Sequence, residues 1–203
     1  MTARIEIRSV RGREIVPFLS DLARLRIELF RGYPYLYDGD LAYEERYVRT
    51  YAKTPQSLML LALDGDVVVG ASTGLPLAAV EMPEVVAPFV TRGDDIATIF
   101  YCGESLLSPA YRGRGLYREF LFGRETFARA AGFETCAFCA VDRGPAHAAM
   151  PAGYRPLDAI WTRAGYVRDP SLIARYRWKD VGAIDESEKP MIFWLKSLAP
   201  NAA

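Results

Sequence analysis

The sequence is poor in cysteine and histidine, and it has no excess of charge of either sign. Its 203 residues include three cysteines and one histidine, and 25 basic residues balance 25 acidic residues. An odd number of cysteines in a chain that is 51% hydrophobic argues against a disulfide-stapled fold. A formal net charge of zero disfavours a polyanionic partner, so we expect no nucleic-acid ligand.

Long apolar runs are also missing. No stretch approaches the length of about 20 residues that a membrane span requires. The first residues alternate isoleucine with charged side chains, which is typical of a strand and not of a signal peptide. We therefore expect a strand over residues 3–9, a cytoplasmic protein and no membrane partner.

Two of the cysteines, Cys136 and Cys139, have the C-x-x-C spacing of many metal-binding pairs. They fall in an apolar, β-like stretch over residues 135–141, where positions three apart point to opposite faces. Two sulfur atoms on opposite faces cannot share an ion. The pattern therefore predicts buried core cysteines and no metal site.

What the sequence does contain is a regular alternation of strand-like and helix-like segments. Apolar residues at three- and four-residue spacing predict amphipathic helices, and Asp64-Gly65 between two apolar runs predicts a hairpin. No repeat or linker interrupts the order, so we expect one domain over residues 1–203 with helices packed on one mixed sheet. The predicted strands cover 3–9, 58–63, 67–73, 96–107, 135–141, 166–179 and 191–198, and the predicted helices cover 13–30, 41–52, 84–90, 116–131 and 157–164.

The most informative stretch is residues 105–121, which reads as a strand end, a glycine-rich turn and a helix start. Pro109 ends the strand because proline has no N–H for the ladder, and Gly113 and Gly115 follow in the turn. Such a turn points backbone N–H groups at the positive end of a helix dipole, which favours a phosphate or pyrophosphate. Arg112 and Arg114 add two permanent charges.

The common nucleotide loops do not match this turn. The pattern G-x-x-x-x-G-K-[ST] is absent, and the third glycine of G-x-G-x-x-G is missing because Arg118 stands there. The turn therefore predicts a site for a cofactor diphosphate other than that of a nucleoside triphosphate or a dinucleotide.

Residues 109–117, Pro-Ala-Tyr-Arg-Gly-Arg-Gly-Leu-Tyr, resemble the acetyl-CoA loop [Q/R]-x-x-G-x-[G/A] of the GCN5-related N-acetyltransferases (GNAT family). Arg112 matches the first position and Gly115 the glycine, whereas Tyr117 stands where the family usually has glycine or alanine. Residues 160–166 are similar to a later element of the family. Gly165 and Tyr166 match it, and Trp161 replaces a tyrosine that in many members lies near the leaving thiolate as a general acid.

The resemblance implies an α/β fold, with a mixed, largely antiparallel sheet of about seven strands flanked by helices. It also implies an acetyl-CoA-dependent N-acetyltransferase that acts on the primary amine of a small molecule or peptide by direct attack in a ternary complex. A backbone N–H near a bulge in the strand over 96–107 would meet the carbonyl charge, at Leu106 and Leu107, and pantetheine would lie between that strand and the next. The implied cofactor-binding residues are Leu106, Leu107, Ser108, Arg112, Gly113, Arg114, Gly115, Leu116, Tyr117 and Asp142.

The sequence does not decide which side chains transfer protons. Glu104 is the first candidate for the base, because an acid in a core strand has no structural motive; the alternatives are a carboxylate satisfied by a nearby arginine or one that binds a cationic substrate. His147 and Tyr154, in the irregular segment 142–156, are further catalytic candidates, and Asp142 either binds a pantetheine amide or forms a turn.

The acceptor end is predicted from composition alone. Tyr33, Tyr35 and Tyr37 lie on a loop with two aspartates, and they either bind substrate or pack between helices. A non-catalytic acyl-CoA-binding module of the same fold remains an alternative, as do a different acyl-CoA and an O-acyl acceptor. The apolar strand over 191–198 either pairs in a homodimer or is buried in the core.

Overall fold

The computed structural model describes residues 5–198, and these residues form one eight-stranded sheet flanked by five α-helices. The strands are β1 (Glu6–Val10), β2 (Leu58–Asp64), β3 (Val67–Pro76), β4 (Ile99–Tyr101), β5 (Ser105–Leu107), β6 (Thr135–Val141), β7 (Val167–Lys179) and β8 (Glu186–Ser197). The helices are α1 (Leu19–Phe30), α2 (Leu41–Lys53), α3 (Pro83–Arg92), α4 (Leu116–Ala130) and α5 (Asp158–Arg163).

The sheet is mixed and mostly antiparallel, which confirms the predicted fold class. Its strand order is β1-β2-β3-β4-β6-β8-β7, with β5 paired to β3 off this path. Only the β4–β6 pair is parallel among the described strands. None of the described helices is both long enough and apolar enough to cross a lipid bilayer.

Each face of the sheet carries its own hydrophobic core. The first core includes side chains of α1, α2 and α3, whereas the second lies under α4. Cys139 belongs to the first core and Cys136 to the second, so the two cysteines point to opposite faces as the strand periodicity predicts. All three cysteines are buried and unbonded to one another, and within residues 5–198 no three His, Cys, Asp or Glu side chains are grouped to hold a metal ion.

The predicted strand over 96–107 is wrong in its continuity. Residues 96–98 form a 3-10 turn capped by Asp95, and the strand is broken at residues 102–104 into β4 and β5. The break arises because the chain changes partners there, as described below. This division gives eight strands in place of about seven.

Other boundaries also differ from the prediction, and β8 begins at Glu186 in place of residue 191. The predicted helix over 13–30 begins as a 3-10 segment, Gly12–Phe18, and α1 starts only at Leu19. Pro17 explains this because a proline inside an α-helix removes an N–H and crowds the preceding turn. Residues 3 and 4 of the first predicted strand lie outside the described residues, and the strand itself covers Glu6–Val10.

The last strand is not an edge. β8 lies between β6 and β7 and is paired on both sides, and Met191, Phe193 and Trp194 are buried. The strand over 191–198 is thus a core strand, and the pairing edge proposed for a homodimer is already occupied within the chain.

Candidate functional site

A cleft opens in the sheet where β5 and β6 separate. β4 and β6 run together as far as Tyr101 and Ala137, and the Cys102 N–H donates to the Ala137 carbonyl at 2.8 Å. The next N–H, that of Gly103, donates instead to the Thr73 carbonyl on β3, at 3.1 Å. Beyond this point, among the described residues, β5 pairs with β3 and β6 pairs with β8, so the facing edges of β5 and β6 are not hydrogen-bonded to each other.

Gly103 makes this turn possible. A Cβ at Gly103 would overlap the hydroxyl of Tyr51, so no larger residue fits against α2 without a shift. The bulge at residues 102–104 therefore depends on Gly103, and the sequence around this glycine shows no turn pattern.

Two backbone N–H groups of β5 face the cleft. The Thr73 N–H donates to the Glu104 carbonyl at 3.0 Å, and the Ser108 N–H donates to the Val69 carbonyl at 2.9 Å. Because bonding alternates along an antiparallel ladder, Leu106 is the residue of β5 that bonds to β3. The N–H groups of Ser105 and Leu107 then point away from β3, toward β6.

Two cavities adjoin at the bulge. The first has a volume of about 650 Å³ and is lined by parts of β6, α4, α5 and the segment 142–158. The second has a volume of about 610 Å³ and is lined by α1, α2, the loop 35–40 and β7. Gly103 and Glu104 line both cavities, together with Phe30, Tyr35 and Cys139.

The glycine-rich turn lies at the open N-terminus of α4. Gly113 and Gly115 have φ values of 76° and 85°, which disfavour any residue with a Cβ, and open space surrounds both positions. The first N–H groups of a helix have no partner within the helix, so those of Leu116 and Tyr117 are available to an anion. The local conformation thus leaves room for an anion at this turn, and the anion site stays a prediction.

The two arginines of the turn differ in their contacts. Arg112 donates from Nε to the Leu107 carbonyl at 3.3 Å, which ties the turn to the end of β5. Arg114 donates to the Ala110 carbonyl at 3.1 Å, and its guanidinium lies over the ring of Tyr111. Arg112 therefore contacts the end of β5, whereas Arg114 contacts residues of the turn itself.

The other predicted cofactor residues divide into buried and exposed groups. Leu106, Leu107 and Leu116 are buried in the two cores, and Ser108 is half-buried at the end of β5. Asp142 lines the first cavity, but one carboxylate oxygen accepts the Gly144 N–H at 2.8 Å and the other accepts Arg168 at 2.7 Å. The turn role left open for Asp142 is the one seen in its contacts.

The carboxylate of Glu104 is buried on the α1–α2 face of the sheet. Its Oε2 accepts Arg26 Nη1 at 2.7 Å and the hydroxyl of Tyr51 at 3.4 Å. Arg26 also donates from Nε to the buried Glu44. Oε1 of Glu104 is buried and has no partner among the described residues, so one oxygen of this carboxylate remains free to accept a proton.

Burial and the neighbouring arginine act in opposite directions on Glu104. Removal from water raises the pKa of Glu104 above its ordinary value, whereas the positive charge of Arg26 opposes that rise. For Arg26, burial would lower the pKa, but Glu104, Tyr47 and Glu44 together raise it well above its ordinary value. Arg26 therefore stays charged, and Glu104 takes up a proton at a higher pH than an exposed glutamate does.

The predicted substrate tyrosines line the two cavities. Tyr33 faces the first cavity, Tyr37 the second and Tyr35 both. The ring of Tyr154 packs edge-on against Tyr33 with centroids 4.6 Å apart, so Tyr154 also lines the first cavity. His147 packs against Tyr33 at 5.8 Å and accepts the Ala149 N–H on Nδ1, and it is not among the residues that line either cavity.

Sequence reasoning missed three arginines. Arg26 holds Glu104, Arg124 lines the first cavity, and Arg143 binds both oxygens of Asp180 at 2.8 Å and the carbonyls of the loop residues Pro34 and Tyr35. A signal existed for Arg124, since it stands on the apolar stripe of α4 that is otherwise formed by Leu116, Phe120 and Ala128.

The two departures from the family pattern touch each other. Trp161 on α5 donates from Nε1 to the hydroxyl oxygen of Tyr117 on α4 at 2.7 Å. Both side chains line the first cavity, and burial raises the pKa of Tyr117. The bond fixes the phenol oxygen in the cavity while leaving the hydroxyl proton of Tyr117 free to be donated.

Comparison with solved structures places this architecture among acetyltransferases. A ribosomal-protein-alanine N-acetyltransferase from Brucella melitensis is 15% identical, with a TM-score of 0.59, over 95% of this chain and 99% of that chain. An aminoglycoside 6'-N-acetyltransferase complexed with coenzyme A is 15% identical, with a TM-score of 0.56, over 97% and 99%. An acetyltransferase of the GNAT family from Staphylococcus aureus Mu50 is 12% identical, with a TM-score of 0.53, over 96% and 100%.

No family model matches the sequence, and no curated protein matches it by sequence comparison. At identities of 12–15% the likeness is one of fold. The bulged strand, the separation of β5 from β6 and the glycine-rich turn before α4 are nevertheless present together in this chain. The protein has the fold of the GCN5-related N-acetyltransferases.

Proposed function

We propose that this protein is an acetyl-CoA-dependent N-acetyltransferase that acts on the primary amine of a small molecule or peptide. The observation that carries the proposal is the cleft between β5 and β6, which has free N–H groups on one wall and the open N-terminus of α4 at its mouth. Acetyl-CoA supplies an activated acetyl group and a thiolate leaving group.

The residues of the cleft suit the parts of such a donor. The amides around Gly113–Tyr117 would hold the pyrophosphate, with Arg112 adding positive charge. The N–H groups of Ser105 and Leu107 would hydrogen-bond the polar groups that enter between the strands. An N–H held rigidly in a bulge stabilises charge that develops on a carbonyl oxygen at little reorganisation cost.

Glu104 is the proposed base. An alkylamine is mostly protonated near neutral pH and must lose a proton to attack a carbonyl. Glu104 lines both cavities, and its buried Oε1 has no partner among the described residues, so this oxygen is the proposed proton acceptor. The raised pKa makes it a stronger base than an exposed carboxylate. Arg26 and Tyr51 hold the other oxygen and so orient the carboxylate.

The second cavity is the proposed acceptor site. Its lining includes six acidic residues against three basic ones, and four tyrosines of the loop and of α2 add flat apolar surfaces. This composition favours a cationic acceptor with an apolar or aromatic body. An acceptor screen that found a preference for anionic amines would remove this assignment.

The test of the activity is release of free thiol from acetyl-CoA in the presence of a panel of amines. We expect thiol release to depend on the amine, and to be strongest with cationic primary amines. The Glu104→Gln variant, which keeps the shape of the side chain, should bind acetyl-CoA normally and turn over slowly.

A non-catalytic acyl-CoA-binding module is the second candidate, and the ion pair between Glu104 and Arg26 is the observation that favours it. If Glu104 has only a structural role, its ion pair with Arg26 is sufficient to explain why a carboxylate is buried there. Binding of acetyl-CoA without turnover on any amine would establish this second function.

A further inference from the structure

Arg124 is a buried cation that has no acidic partner among the described residues. Only 3% of its surface is exposed, and no carboxylate of residues 5–198 forms a salt bridge with it. Its one hydrogen bond to the described residues runs from Nη1 to the Glu104 carbonyl at 3.4 Å, and its buried Nε has no acceptor there.

The titratable side chains that act most strongly on Arg124 are thiols and phenols. Burial lowers the pKa of Arg124, and Cys102, Tyr166, Tyr117 and Cys136 act to raise it. A buried charge normally needs a counter-ion, because removal from water is costly and neutral groups compensate only part of the loss. An unpaired guanidinium that lines a cavity therefore points to an anionic group supplied by a ligand.

The position of Arg124 indicates where that anion would bind. Arg124 stands on α4 and lines the first cavity, whereas the carboxylate of Glu104 lies on the other face of the sheet, against α1 and α2. The guanidinium of Arg124 thus contacts the backbone of Glu104 on one face of the sheet, and the carboxylate of Glu104 lies on the other face. A base on the acceptor side and a cation on the donor side suit a reaction in which negative charge moves from the acceptor to the leaving group.

We propose that Arg124 stabilises the negative charge on the sulfur of coenzyme A as the thioester is cleaved. The inference rests on the proposed function, since it needs an acyl-CoA in the first cavity. The amine nitrogen forms a bond to the acyl carbon, the carbon–sulfur bond breaks, and its electron pair stays on sulfur as a thiolate. The proton lost by nitrogen goes to Glu104 and then to solvent, and the thiolate is protonated after release.

Tyr117 completes this sulfur site. Its hydroxyl oxygen accepts the Trp161 N–H, so its own proton is free to hydrogen-bond an anion in the same cavity. A fixed cation and one hydroxyl donor stabilise a thiolate without a full proton transfer, which suits a leaving group whose ordinary pKa is only about 8.5.

The experiment compares the affinities of coenzyme A and desulfo-coenzyme A by calorimetry across the pH range from below 7 to above 9. If Arg124 binds the thiolate, the thiol of bound coenzyme A has a lowered pKa, and a group that loses its proton more easily when bound makes affinity rise with pH. We expect the ratio of the two affinities to rise about tenfold, which corresponds to a lowering of the pKa by about one unit.

Three variants sharpen the result. Arg124→Met should abolish the rise, Arg124→Lys should keep part of it because the charge remains, and Arg129→Met, on an exposed arginine of the same helix, should leave it unchanged. A flat ratio in the unmodified protein overturns the inference even if Arg124→Met fails to fold, and so does a rise that persists in a folded Arg124→Met variant. Failure of both ligands to bind overturns the proposed function itself, and the inference with it.

Discussion

Two arginines flank the bulge at residues 102–104, one on each face of the sheet, and they differ in what surrounds them. Arg26 lies between two carboxylates, those of Glu44 and Glu104, and its guanidinium stacks on Tyr47. Among the described residues, Arg124 donates to one carbonyl oxygen and forms no salt bridge with a carboxylate. The charge of Arg26 is neutralised within the fold, whereas the charge of Arg124 is available to a ligand.

The largest expected effect is on stability, at Arg26. Arg26→Met leaves two buried carboxylates without a counter-charge, and breaking a buried pair in this way costs about 3–5 kcal/mol. Arg124→Met strands no charge and should cost clearly less. Chemical unfolding of both variants measures the difference, and equal losses would show that the two arginines play the same role.

The loss in Arg26→Met should depend on pH with a definite sign. Arg26 opposes the rise in the pKa of Glu104, so without Arg26 that pKa rises further and the ionised carboxylate is more costly to bury. The loss is therefore largest above the raised pKa and shrinks as the pH falls and Glu104 takes up a proton. Unfolding free energies of the variant and the unmodified protein, measured from pH 8 down to about pH 5, test this; a loss that grows toward acid would contradict it.

The next effect is on turnover, at Glu104. Removing a general base typically lowers the rate by about 100-fold or more. Glu104→Gln should lower kcat by that factor and change the affinity for acetyl-CoA little, because the side chain lies on the α1–α2 face. Collapse of acetyl-CoA affinity in the variant would instead make Glu104 a structural residue.

The pH dependence of the unmodified protein gives an independent view of the same group. A base must be ionised to act, so kcat/KM falls as the pH drops through the pKa of Glu104, and burial places this acid limb above that of an ordinary carboxylate. Glu104→Gln should remove the limb. An acid limb that persists in the variant would assign the base elsewhere.

A smaller effect is expected at the mouth of the cleft. Arg112→Ala removes a charge beside the proposed pyrophosphate site and the bond to the Leu107 carbonyl, so affinity for acetyl-CoA should fall by about tenfold. Arg114→Ala is the matched control, because Arg114 is already engaged with Ala110 and Tyr111 and should weaken binding less. Calorimetric titration distinguishes the two, and a reversed order would move the phosphate site.

The smallest effect is expected at the contact between α4 and α5. Trp161→Phe removes the N–H that holds the hydroxyl of Tyr117, which should cost about 1 kcal/mol of stability. The looser phenol should also bind coenzyme A less well, by a few-fold. An unchanged melting temperature and affinity would show that this bond contributes nothing to the cleft.

These contrasts also show what sequence can predict and why. The hairpin at Asp64-Gly65, helix α4 and the turn at Gly113 and Gly115 follow from local patterns, because each depends on residues a few positions apart. The break in the strand over 96–107 does not follow from a local pattern. It arises where the hydrogen-bond partner of the backbone changes from Ala137 to Thr73, and both partners are distant in sequence.

The chemistry of the site follows the same rule. Glu104 stands out in sequence as an acid in an apolar strand, but its partner Arg26 is 78 residues away and belongs to a helix whose spacing predicts only packing. Arg124 could have been found as a charge on an apolar stripe. That no carboxylate of residues 5–198 pairs with Arg124 is a property of the folded structure, and the sequence does not show it.

The central claim is that acetyl-CoA binds between β5 and β6 with its phosphates at the N-terminus of α4. Amide hydrogen exchange with and without acetyl-CoA tests it most directly. We predict slower exchange at Ser105, Leu107 and residues 113–117, and little change at the β1 edge of the sheet. Binding of acetyl-CoA that leaves exchange at β5 and the glycine-rich turn unaltered would contradict the account.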